Sequence, residues 1–117
     1  MTFQTPATLP VLIAQAEEEH LYFKLIEQTN KDFGLANEVL DAATNIFPLE
    51  FTHLVQDKIY KLLQFKFDSY LNLLYIIDVS EEEIKKLDGT DLVKLSEEVT
   101  FLVLKREWQK VWFRANY

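Results

Sequence analysis

Apolar residues recur along this chain at helical rather than alternating spacing. The longest such pattern opens at Pro48, whose missing N–H and fixed φ suit the first turn of a helix. Phe51, Val55, Ile59, Leu62, Phe65 and Leu73 then mark one apolar stripe. Leu63, Phe67, Tyr70, Leu71 and Leu74 widen it toward the C-terminal half, while His53, Asp57, Tyr60, Lys61, Gln64 and Asp68 form the wetter side. The pattern predicts one helix over 48–77, its far half covered by more than one neighbour.

Ser80 followed three residues later by Glu83 is a capping box, and Glu81–Glu83 put negative charge at the positive end of the helix dipole. Lys85, Lys86 and Gly89 read as a last turn and a left-handed stop, which gives a short helix over 81–88. Thr90 or Asp91 can cap a final helix that runs to 115. That helix is apolar all round at Phe101–Leu104 and carries Leu104, Trp108, Val111 and Ala115 along one face. Nearer the start, Leu12, Ala16, His20, Phe23 and Ile26 share a helical stripe. Leu21–Ile26 also tolerates a strand, but the surrounding Ala, Glu, Gln and Lys favour helix. Phe33, Leu40 and Ala43 are expected to turn inward, with Asn45–Phe47 as the connection to Pro48. The fold class that follows is all-α: a compact bundle of four to five helices, in which two long helices (48–77 and 91–115) lie antiparallel, joined by a short capped one. Residues 1–8 are expected to be a flexible N-terminus and 9–117 a single helical domain.

Composition narrows the chemistry. Of the 117 residues 49% are hydrophobic, enough to build a core and to argue against disorder. The absence of cysteine removes disulfides, thiolate nucleophiles and cysteine-held metals, and fits a cytoplasmic protein. With only Gly34 and Gly89, neither a phosphate loop nor a three-glycine dinucleotide fingerprint can be written. No serine sits between glycines as a hydrolase nucleophile elbow requires. Met1–Pro10 lacks the basic region of a secretory signal, and no apolar run is long enough to span a bilayer. The net charge of −7 opposes binding to nucleic acid or anionic membranes. Nothing calls for a cofactor.

Three patterns could carry function. Glu17-x-x-His20 and Glu50-x-x-His53 each set a carboxylate and an imidazole three apart, the spacing by which two-metal carboxylate sites draw two ligands from one helix. Twelve glutamates make such a pair easy to reach by chance, so this metal site is the alternative reading. The stretch 105–117 carries a local charge of +3 against −10 for the remainder, with aromatics between the basic residues. Arg106, Trp108, Lys110, Trp112, Phe113, Arg114 and Tyr117 are therefore the expected interaction surface, for a protein partner or a second copy. A nucleic-acid adaptor using Lys105, Arg106, Lys110 and Arg114 is the weaker alternative. Finally, Asp78 lies between Ile77 and Val79, where it helps the chain turn or, paired with Arg106, marks a site. The expected role is a non-catalytic interaction or self-associating module.

Overall fold

Capping side chains and left-handed residues divide the chain into helices at points the apolar pattern does not mark. The structure is a computed structural model that describes residues 2–117, with no strand among them. Its helices are α1 (Leu9–Glu18), α2 (Tyr22–Leu35), α3 (Pro48–Phe65), α4 (Phe67–Ile77), α5 (Glu81–Lys85) and α6 (Leu92–Asn116). The all-α bundle stands, with six helices instead of four to five.

The extra helices arise where turns win over stripe continuity. His20, expected on the stripe of a continuous helix, has φ 58° and ends α1 instead. Leu21 N–H donates to Ala16 C=O at 2.8 Å across it, a Schellman closure. The same closure recurs at Asn37 (φ 61°, Glu38 N–H to Phe33 C=O, 2.9 Å) and at Asp78 (φ 69°, Val79 N–H to Leu74 C=O, 3.0 Å). None of the three left-handed residues is glycine, and Gly89, expected to be a left-handed stop, has a negative φ. The short helix accordingly stops at Lys85 rather than 88.

The predicted 48–77 helix is interrupted at Lys66, whose φ −142° and ψ 64° leave the helical region. Neither Pro nor Gly causes the break. Lys66 closes α3 through its N–H to Leu62 C=O (2.9 Å), and its own C=O accepts from Tyr70 N–H (3.0 Å) as α4 begins. Its ammonium reaches the nearly buried Glu38 carboxylate at 3.2 Å. The redirection lets α4 pack on α2 and α6 as well as α3, burying Tyr70, Leu73, Leu74 and Ile77. Phe65, Phe67 and Leu71, expected inside, are left exposed.

Caps behave more simply. Thr8 accepts from Val11 N–H, Ser80 from Glu83 N–H, and Asp91 from the N–H groups of Val93 and Lys94. Glu83 does not complete the expected box; its carboxylate takes Lys105 at 2.9 Å. The loop between α2 and α3 is tied down by Asn30, which clamps the Ala42 peptide through both N–H and C=O (2.9 and 2.8 Å), so Ala42 is buried in place of Ala43. Tyr22 adds a 2.8 Å bond to Ile46 C=O, and burial, aided by the Glu17 charge, pushes its phenol up to about 12.

α6 is the hub: α3 makes the most extensive contact with it, and α1, α2 and α4 also pack on it. Its residues Val99, Val103, Leu104 and Trp108 are fully buried within one hydrophobic cluster. The radius of gyration of 13.4 Å matches the ~13 Å of a compact chain this long.

Candidate functional site

Because α6 runs through the core, its C-terminal half turns both tryptophans of the expected surface inward and leaves Phe113, Arg114 and Tyr117 exposed. Trp108 is 0% exposed, with its indole N–H donating to Gln15 Oε1 of α1 at 3.0 Å. Trp112 is buried beneath Phe3, whose ring lies 5.3 Å from it edge-on. Phe3 belongs to the stretch expected to be flexible. Phe113 and Tyr117 stack on each other at 5.7 Å, both exposed, Tyr117 at 84%. The basic residues are also engaged. Lys105 pairs with Glu83, Arg106 with Asp78 at 3.2 Å, and Lys110 with Asp32 at 2.7 Å. Arg114 donates to Gln28 Oε1 at 2.9 Å. Three of the four cations proposed for a nucleic-acid adaptor are thus committed to carboxylates of the same chain.

The Lys110 contact opens onto a polar cluster inside the α2–α6 seam. Asp32 is buried and accepts from both Gln28 (3.1 Å) and Lys110. Glu107, fully buried, lies beside Asp32 with Lys110 Nζ 3.3 Å from its Oε1. No donor is aligned on either Glu107 oxygen, so an ionised Glu107 would leave both acceptors unsatisfied in the core. A protonated Glu107 instead donates its hydroxyl to Asp32. Burial first, then the hydrogen bond and charge of Asp32, push Glu107 up to about 9, against the opposing pull of Lys110. For Asp32, burial acts upward but hydrogen bonds from Glu107, Lys110 and Gln28 outweigh it and hold the carboxyl below its ordinary value. Protonation of Glu107 would leave the pair a single negative charge, on Asp32, for Lys110 to balance.

Sequence reasoning missed Glu107 and Asp32. The signal was present: Val103, Glu107 and Val111 follow at intervals of four on an apolar face, as do Gln28 and Asp32 beside Leu25 and Thr29. Asp78, by contrast, turns the chain as one of its two readings has it. Its carboxylate is 80% exposed, so the Arg106 pair is a surface contact.

The two Glu/His pairs sit apart from this cluster. Glu17, His20, Glu50 and His53 are all exposed, His20 lies outside any helix, and Glu50 and His53 occupy the first turns of α3. Among the described residues no group of three or more His, Cys, Asp or Glu side chains is placed to hold a metal ion.

Two surface features complete the inventory. On α4, Phe67, Leu71 and Tyr75 are exposed at intervals of four, with Tyr75 at 82%. Beside them an apolar groove of about 660 Å³ runs between α4 and α5, lined by Leu74, Val79 and Ile84 among others. Between α2 and α6 lies a cleft of about 360 Å³ with Leu21, Val111 and Ala115 as its apolar wall and Lys24, Lys31 and Arg114 on its rim. No helix among the described residues is long and apolar enough to cross a membrane. No protein-family model, curated protein or solved structure matches the chain.

Proposed function

We propose that the protein is a non-catalytic, self-associating interaction module whose contact face is α4 with the adjoining groove, not the end of α6. The carrying observation is the exposed stripe Phe67, Leu71 and Tyr75, two large apolar side chains left about half exposed and a third almost fully so. The stripe is symmetric about Leu71, so two copies crossing antiparallel would set Phe67 of each against Tyr75 of the other, as an isologous contact requires. Antiparallel crossing also opposes the helix dipoles. A stable interface buries about 800 Å² per partner, more than eleven residues of helix offer, so the α4–α5 groove has to accept part of the second copy. The cysteine-free composition supports the cytoplasm as the setting.

Sedimentation of the 13.8 kDa chain over a concentration series tests the reading. The wild type is expected to shift toward twice the monomer mass, and Leu71→Glu, at a half-exposed position, to remain monomeric with an unchanged helical circular dichroism spectrum. A wild type that stays monomeric into the millimolar range refutes self-association through this face.

A further inference from the structure

We infer that the cleft between α2 and α6 binds a small organic anion, a single carboxylate on an apolar body. The argument starts with charge. Among the described residues six of the twelve cations have no carboxylate partner, and two of these six, Arg114 and Lys31, line one cleft. Both stand on the rim of the same cleft, above an apolar wall of Leu21, Val111 and Ala115. The volume of about 360 Å³ falls in the lower part of the range of small-molecule sites, roughly 300–1,000 Å³.

Arg114 is also held in place. Its Nη1 donates to Gln28 Oε1 at 2.9 Å, and Gln28 is itself oriented by donating to Asp32 Oδ1 at 3.1 Å. Asp32 is fixed in turn by Lys110 at 2.7 Å. A chain of buried polar groups therefore aims one edge of the guanidinium through a neutral amide, which leaves its charge uncompensated and its remaining N–H groups available. A planar carboxylate can take two parallel hydrogen bonds from such a fork. Lys24 already leans on Glu27 at 3.5 Å, and Glu27 adds negative charge to the rim. The rim is still net positive and attracts an anion, while the apolar wall of Leu21, Val111 and Ala115 favours a carboxylate on an apolar body over a phosphate. The cleft lies on α2 and α6, away from the α4 face, so this inference does not depend on self-association.

Octanoate is the probe, followed by amide chemical shifts in a heteronuclear NMR titration of the full chain. Saturable shifts are expected at residues 24–31 and 111–115, with octanol binding at least tenfold more weakly. Arg114→Gln should weaken octanoate binding about tenfold or more, as expected for loss of a hydrogen-bonded charge. Lys31→Gln, exposed and remote from the core, should weaken it less but measurably. Leu71→Glu should leave it unchanged. Absence of shifts at these residues, equal binding of octanol, shifts confined to the α4–α5 groove, or indifference to both cation substitutions would each overturn the assignment.

Discussion

Trp108 and Gln15, 93 positions apart, are joined by a 3.0 Å hydrogen bond from indole Nε1 to amide Oε1 that fastens α1 to the hub helix. The indole is wholly enclosed, so its N–H has no water to turn to if the amide is removed. Gln15→Leu is expected to cost about 1–3 kcal/mol, and Trp108→Ala about 3–5 kcal/mol through the cavity it leaves. Urea unfolding followed by circular dichroism measures both; a Gln15→Leu chain as stable as the wild type would show that the bond contributes nothing.

Glu107 makes stability depend on pH in a direction opposite to that of most carboxyls. Its folded pKa, about 9, lies above the ordinary 4.5, so between those values the folded chain holds a proton that the unfolded chain releases. Stability from this group is complete below about pH 4.5 and is lost as pH rises through 9. Asp32 works the other way. Its lowered pKa contributes stability above its ordinary value and gives it up in acid. Chemical denaturation from pH 5 to 9 should show a steady decline, and Glu107→Gln, whose amide can still donate to Asp32, should flatten it. A decline of equal slope in the variant would locate the pH dependence elsewhere.

His20 occupies a left-handed conformation that glycine adopts without the clash of a Cβ. Its side chain is exposed, so little is lost with it. His20→Gly is expected to raise stability by roughly 0.5–1 kcal/mol and the melting temperature by a few degrees, whereas His20→Val should lower both. Differential scanning calorimetry of the two variants decides the matter; a glycine variant that melts below the wild type would contradict the closure geometry.

These sites show where pattern reading succeeds and where it stops. The stripe Phe51–Val55–Ile59 is buried as its spacing demands, and Thr8, Ser80 and Asp91 cap helices, because both features depend on nearby residues alone. The break at Lys66 has no local marker. It goes with the packing of α4 on α2 and α6, contacts with distant parts of the chain that a local pattern does not show. The left-handed turns at His20 and Asp78 were hidden for a related reason: glycine is the usual marker, and neither is one. Topology divides the expected interaction surface. Trp108 and Trp112 look exposed when their helix is read alone and become interior once four other helices pack on it, while Phe113 and Tyr117 stay exposed. The acid in an apolar stripe at Glu107 was legible in principle, because charge at a core position demands a partner.

The hub helix also lies last in the order of the chain, and that sets the course of folding during synthesis. Residues 1–91 leave the ribosome before the rod on which α1, α2, α3 and α4 converge exists outside it. Until then Phe33, Phe51 and Ile77 lack the shelter that α6 gives their helices, and unsheltered apolar side chains of this kind favour aggregation. Leu92–Asn116 then supplies the surface on which α1, α2, α3 and α4 pack.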